Sequence, residues 1–514
     1  MASVATSDEA ELGTLTPGEV KFERIRKKAG WLLAPLTFFA IYLGNFPGLN
    51  TKAHHLAAIM ATTAVLWICE SLPMVVTALL AAVACIMFRV GTPEEVFTQF
   101  ATYITFLFIG SFMLARAVFI HGLDRRFAYG ILSLPWIGAR PSRILFGFGA
   151  VTAFMSAWVS NTATTAMMFA IGMSILAVFY RQDAGAAVGQ KTTKIDPRYA
   201  TGLMLMTSFS ASIGGLATPV GTPPNLIGIK FIRDQLGVEL SFFQWSLLGT
   251  PVVIVLFLFL FGYLNFFCRA GVREIEGGAE MLRERSRSLG PWTISQKSTV
   301  CAFLVTIVLW ILPGLVLIFE GPGGKTSALL KGPLNEGVVA LIGAILLFLL
   351  PGDRDGRAIN WKEASQIDWG IVLLYGGGFA LGSLAEKSGL AKALGEELLR
   401  HLPLTSSLMM LIFATTFAVL VSEATSNTAS AQIIVPVVIS LALAAKMDPL
   451  EPALGATLGA SLGFMLPVST PCNAIVYGSG HIPLTRMIRY GALLDVAGIV
   501  VVVTLVRTLL PLLR

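Results

Sequence analysis

Trp158-Val159-Ser160-Asn161-Thr162-Ala163-Thr164-Thr165 is a polar stretch in an oily sequence, and it returns once, as Ala424-Thr425-Ser426-Asn427-Thr428-Ala429-Ser430. Each copy sits between two apolar runs, at a depth where a membrane excludes water. A Ser-Asn-Thr triplet offers hydroxyl and carbonyl oxygens plus amide donors, and carries no formal charge. That chemistry suits a small cation held beside an anion. It also suits a helix N-cap, because Ser, Asn and Thr all favour that position. The second copy, with a second shared motif after each, points beyond capping.

The rest of the chain is that of a polytopic membrane protein. Of 514 residues, 55% are hydrophobic and 13% charged, with a mean hydropathy of +0.75. Soluble domains carry roughly 25% charged residues. A spanning helix needs about 20 apolar residues, and many stretches qualify. The fold class expected is all-α, with about eleven spans plus two re-entrant hairpins. The net charge of +7 implies no nucleic acid, since the basic residues fall between apolar runs. Cys69, Cys85, Cys268, Cys301 and Cys472 form no CxxC pair and read as packed thiols.

Residues 1–30 form a polar segment ending in Lys21, Arg24, Arg26, Lys27 and Lys28, without the pattern of a cleaved signal. Basic residues before the first span, near 31–46, predict a cytoplasmic N-terminus. Further spans are expected near 54–69, 72–90 and 102–121. Two arms, about 144–159 and 163–179, flank the first triplet and have basic outer ends. They predict a hairpin that enters and leaves on one side, its tip lining a cavity or covered by protein. A span from about 199 then meets Gly214-Gly215-Leu216-Ala217-Thr218-Pro219-Val220-Gly221-Thr222-Pro223-Pro224-Asn225, through which no helix runs unbroken.

After a span near 246–267, the polar connection 268–298 divides a first half, 31–267, from a second, 299–514. The second half is expected to hold spans near 299–318, 334–351 and 369–386. Arms of 405–422 and 429–445 follow, then a span from about 450 broken at Met465-Leu466-Pro467-Val468-Ser469-Thr470-Pro471-Cys472-Asn473, and a last span near 490–512. From Asn161 to Asn225 is 64 positions and from Asn427 to Asn473 is 46; the difference of 18 matches a polar insertion between Arg181 and Arg198. Without it the halves superpose, and the span count gives them opposite topology. Paired broken helices mark the midplane site of a secondary transporter.

The breaks leave helix N-termini for an anion and free carbonyls for Na⁺. No Lys or Arg lies in either triplet or either loop. A divalent anion would then depend on bound cations. Gly321-Pro322-Gly323-Gly324-Lys325-Thr326 resembles a P-loop fragment but has Phe319 in place of the first glycine. No HExxH or GxSxG occurs, so no enzyme is expected. Arg116 and His121, closing the fourth span, and Glu423, beside the second triplet, are the ionisable groups weighed within apolar runs. Arg116 is expected to snorkel, and Glu423 either to tune a cation site or to brace the hairpin.

At the two triplets and two Thr-Pro loops, the chain resembles the divalent anion–sodium symporter family, as it does at Glu70-Ser71-Leu72-Pro73 with Val76-Thr77. The resemblance implies a homodimer in the lipid of the plasma (inner) membrane, working as an elevator. It implies uptake of C4-dicarboxylates or citrate with Na⁺ as the coupling ion. Sodium-independent exchange and sulfate transport are the alternatives. It implies one Na⁺ site from Ser156, Ser160, Asn161 and Gly221, and another from Ser422, Thr425, Asn427 and Ser469. The substrate would meet Asn161, Thr162, Asn427, Thr428, Thr470 and Pro471. Cys472 departs from the second proline that the family's loop often carries.

Overall fold

The computed structural model describes residues 17–184, 196–274, 278–321, 324–353, 356–402 and 404–512. The insertion after Arg181 and the first residues of the N-terminal segment fall largely outside them. The described residues form helices and no strand. Among the described residues, nine helices are long and apolar enough to cross a membrane, and three more apolar helices are shorter.

Helix α1 (Pro17–Tyr42) is longer than the span expected at 31–46. It runs back through the basic cluster, because nothing between Pro17 and Trp31 breaks it and Pro17 suits a first helical position. The basic start is tied down: Arg26 pairs with Glu70 at 2.8 Å, and Ser71 Oγ donates to the Lys27 carbonyl. Then come α2 (Thr51–Cys69), α3 (Met74–Met87), α4 (Tyr103–Ile120) and α5 (Leu123–Leu132). The first hairpin is α6 (Pro141–Ser156) and α7 (Asn161–Ala184), and the first broken helix is α8 (Pro197–Gly214) and α9 (Pro223–Leu236). Helix α10 (Phe242–Phe267) and the linker helix α11 (Gly278–Ser288) follow.

The second half supplies α12 (Ile294–Glu320), α13 (Glu336–Leu349), α14 (Trp369–Ser388) and α15 (Leu390–His401). Its hairpin is α16 (Ser407–Ala424) and α17 (Asn427–Ala444), and its broken helix is α18 (Leu450–Gly459) and α19 (Pro471–Tyr477). Helix α20 (Leu484–Leu509) comes last. Small features recur in both halves. Thr92 and Asn360 each cap a short helix through a reciprocal bond with a Glu three residues on. Gly122 and Gly389, at φ +64° and +81°, each turn the chain from a span into the next helix.

Burial grades the helices from centre to rim. The apolar window of α8 is 100% buried, and that of α12 only 22%. Helix α8 is therefore the packed axis, while α12 turns most of its apolar surface outward, as a lipid-facing helix does. The central packing is close enough to exclude side chains. A Cβ on Gly214 would stand 2.1 Å from the Ala153 carbonyl of α6. Likewise α10 and α20 touch the two loops through Gly249 and Gly491, whose Cβ atoms would meet the Leu216 and Phe464 carbonyls at 2.3 Å.

Replacing Gly214 by Ala should force α6 off α8 and cost about 1–3 kcal/mol, as overpacking does. The check is the thermal unfolding midpoint of detergent-purified protein, with Gly262→Ala, which has open space around it, as the control. Equal midpoints for the two variants would contradict this.

Candidate substrate and cation site

Each triplet opens a helix. Asn161 and Asn427 are the first residues of α7 and α17, and the serines before them cap those helices. Ser160 Oγ accepts from Ala163 N–H at 3.3 Å, and Ser426 Oγ accepts from Ala429 N–H at 3.2 Å. Capping and a functional role thus fall to different members of the triplet. With Ser spent on the cap, the Asn side chain reaches back across the turn. Ser156 Oγ donates to Asn161 Oδ1 at 2.7 Å, and Ser422 Oγ donates to Asn427 Oδ1 at 2.8 Å.

The broken helices are built on one plan. Thr222 and Thr470 share an extended backbone, with φ, ψ of −144°, 144° and −145°, 149°. Three residues on, Asn225 Nδ2 donates to the carbonyls of Gly215 and Thr218 at 2.9 and 2.8 Å. Asn473 Nδ2 donates to Gly463 and Leu466, both at 3.0 Å. Each amide clips two carbonyls that the break sets free, and an unpaired group at this depth would cost several kcal/mol. Two further bonds tie the first loop to its surroundings. Trp245 Nε1 donates to the Leu216 carbonyl, and the Thr218 hydroxyl donates to the Ala157 carbonyl at the first hairpin tip.

Between the first hairpin tip and the first loop, acceptors converge. Asn161 Oδ1 lies 3.2 Å from the carbonyl oxygens of both Gly221 and Ala211, and 2.7 Å from Ser156 Oγ. Carbonyl oxygens repel one another unless a donor or cation lies among them. With the amide reversed, its nitrogen would donate to the same three. That reversed amide satisfies all three without an ion; only with the oxygen inward is the cluster a set of neutral oxygens that could hold a cation. In the second half Ser422 Oγ also donates to the Ala460 carbonyl at 2.8 Å, and Ser469 Oγ donates to the carbonyls of Gly463 and Leu466 at 2.9 and 2.8 Å.

The two clusters lie where the halves interlock. Helix α9, leaving the first loop, packs on α17 and α18 of the second half. Helix α19, leaving the second loop, packs on α7 and α8 of the first. Ser208 Oγ donates to Asn473 Oδ1, and Thr201 Oγ1 donates to the His481 carbonyl, so α8 and α19 run antiparallel.

Comparison with known proteins fits this geometry. The family model described as "Sodium:sulfate symporter transmembrane region" matches residues 27–513. The chain belongs to the sodium:sulfate symporter family. Membership makes it a transporter, as the sequence predicts, and not an enzyme. A relative from Staphylococcus saprophyticus, named sodium-dependent dicarboxylate transporter SdcS, is 33% identical over 498 residues, spanning 96% of this chain and 93% of that one. Its namesake from Staphylococcus aureus strain USA300 is 33% identical over 94% of this chain and 91% of its own. The YdaH transporter of Alcanivorax borkumensis shares the fold at a TM-score of 0.53 and 13% identity, over 95% of this chain and 98% of its own.

Within this symporter architecture the expected residues separate. Ser156, Asn161 and Gly221 come together, as do Ser422, Asn427 and Ser469 through the Gly463 turn. Ser160 is used as a cap, and the Thr425 hydroxyl donates to the Val421 carbonyl at 2.9 Å. Thr470 caps α19, accepting from Asn473 N–H at 3.1 Å. Thr162 and Pro471 are exposed and Thr428 is half-buried. Glu423 braces the second loop, accepting from the N–H groups of Met465 and Leu466 at 2.8 and 3.2 Å. Arg116 reaches out to Gln366 in the polar connection before α14.

Sequence reading missed the clips made by Asn225 and Asn473, although an Asn three residues after each Thr was the signal. It also missed Lys230, a buried cation within the apolar run of α9. Lys230 pairs with Asp234, donates to Gln99 Oε1 at 3.2 Å and lies 4.8 Å from the centre of the Phe379 ring.

Replacing Asn225 or Asn473 by Leu should leave two loop carbonyls unpaired in each variant and cost about 1–3 kcal/mol per group. Lower unfolding midpoints in detergent, for both variants, are the expected result. Unchanged midpoints would mean that the clips do not hold the loops.

Proposed function

We propose that this protein is a secondary active transporter that carries a C4-dicarboxylate inward together with Na⁺. The observation that carries the reading is the pair of uncharged, oxygen-rich turns set where the two halves interlock. Relatives covering nearly the whole chain are named for sodium-dependent dicarboxylate transport, which supports the same substrate and ion here.

The chemistry follows from what the turns lack. A dianion meets no Lys or Arg in the triplets or loops. Its charge is offset by Na⁺, one ion in each oxygen cluster: Ser156, Asn161 and Gly221 in the first half, Ser422, Asn427 and Ser469 in the second. Ser160 and Thr425 stand next to the clusters and contribute through their backbone. The carboxylates are received by the first turns of α7 and α17, at Asn161, Thr162, Asn427 and Thr428, whose N–H groups have no partner within the helix. Thr470 and Pro471 close the second side. Two Na⁺ with one dianion carry no net charge, so the Na⁺ gradient itself drives accumulation.

Several broader features belong to the same proposal. The halves, 31–267 and 299–514 joined by the connection 268–298, lie in the membrane with opposite topology, a reading supported by the antiparallel run of α8 and α19. The body holding both turns moves as an elevator against a dimeric scaffold in the plasma membrane, with the N-terminus cytoplasmic.

Proteoliposomes with an empty interior provide the test. A Na⁺ gradient should drive accumulation of labelled succinate, and Asn161→Ala or Asn427→Ala should lower the rate by about 100-fold or more while leaving folded protein. Uptake seen only when the interior is loaded with a dicarboxylate would make the protein an exchanger instead. Near-normal uptake by both variants would remove the asparagines from the site.

A further inference from the structure

We propose that Lys230 is a positioning residue for the crossing step: it clasps the body that carries both turns to the scaffold, and so sets how readily the body leaves this state. The inference rests on the elevator reading above and names a contact that the motion must break.

Lys230 lies on α9, five residues past Asn225, and is 5% exposed. A buried ammonium in a membrane protein is costly unless it is paired and its donors are used. Asp234, one turn further along the same helix, pairs with it. Two other partners belong to different elements. Nζ donates to Gln99 Oε1 at 3.2 Å, in the single turn Thr98–Phe100 that precedes α4. It also lies 4.8 Å from the centre of the Phe379 ring on α14.

Neighbouring side chains widen the contact. Arg233 stands 4.4 Å from the centre of the Tyr103 ring, at the start of α4. The Phe231 ring meets that of Phe379 edge-on at 5.9 Å, and it fills the space that a side chain at Gly382 would need. The same helix packs on α17 and α18, where Gly228 leaves no room for a Cβ against Thr457. Helix α9 therefore joins the hairpin and broken helix of the second half to α4 and α14, neither of which carries a turn.

The partners of Lys230 are divided as a clasp requires. Asp234 travels with it on α9, so the charge keeps its counter-ion wherever the body goes. Gln99 and the Phe379 ring stay behind. Leaving this state breaks one hydrogen bond and one cation–π contact without orphaning a buried charge, and return restores both. The clasp is built once. Aligning the two loops pairs Lys230 with Gly478, Arg233 with His481 and Asp234 with Ile482, and α19 lies instead on α7 and α8.

The experiment reads the separation of body and scaffold. Spin labels are placed at Val500→Cys on α20, which packs on α18, and at Ile345→Cys on α13, which packs on α4; both positions are exposed. The background is Cys301→Ser, which removes the exposed native thiol and leaves the buried ones. The label-to-label distance is measured in liposomes by double electron–electron resonance, with and without Na⁺ and succinate. Two distances in equilibrium are expected. Their ratio should shift away from this state by about tenfold in Lys230→Met and about threefold in Gln99→Ala. Gln99→Ala leaves the ion pair intact, so it reports on the clasp even if Lys230→Met fails to fold. Lys230→Arg, which keeps the charge and its donors, should stay near the wild-type ratio. Ratios unchanged in the folded variants would overturn the clasp alone. A single distance under every condition, with succinate uptake intact, would overturn the elevator reading and the clasp with it.

Discussion

An unpaired backbone carbonyl in a dry interior is the constraint on which this structure turns. A transporter of this kind needs breaks in its helices at mid-depth, because only a break frees oxygens and N–H groups for cargo. The same break would be ruinous if its other polar groups stayed unpaired. Asn225 and Asn473 resolve the conflict by clipping two carbonyls each. Their side chains replace the next turn of helix, and the groups left over are those that face the asparagines of the triplets.

The two halves meet this constraint with different side chains. In the first, the Thr218 hydroxyl ties the loop to the hairpin tip at Ala157. In the second, Leu466 and Glu423 occupy those positions, and a carboxylate accepts the loop's N–H groups instead. Asn473 Oδ1 receives the Ser208 hydroxyl, whereas Asn225 Oδ1 is buried without a partner and Ala456 stands where the matching serine would be. Matching positions of the two broken helices thus carry different side chains. Two copies free to differ can make an asymmetric pocket from a symmetric frame.

Much of the architecture is legible in the sequence because bilayer physics is severe. Apolar length, basic connections and Pro-Gly breaks locate the hairpins and both broken helices to within a few residues. The triplets announce themselves because polar residues at that depth need a reason. The first helix is longer than its apolar run, because the helix continues through the charged residues before it. What stays hidden depends on partners distant in the chain. The clip of Asn473 could be sensed from its repeat, but its bond to Ser208 could not. Lys230 escaped because its neighbours on either side in sequence are apolar, and its partners Gln99 and Phe379 are remote.

The exchange of helices between halves, with α9 lying on α17 and α18 while α19 lies on α7 and α8, bears on how ions and cargo sense one another. In the proposed transport cycle, tightening one turn around its ion presses on the helix that issues from the other turn, a single packing layer away. Cooperative loading then needs no long relay through the protein, and reciprocity follows from thermodynamic linkage: whatever help the first ligand gives the second is returned in equal measure. A partly loaded carrier is left with one slack turn, and slackness at that point is the simplest brake on an unproductive crossing.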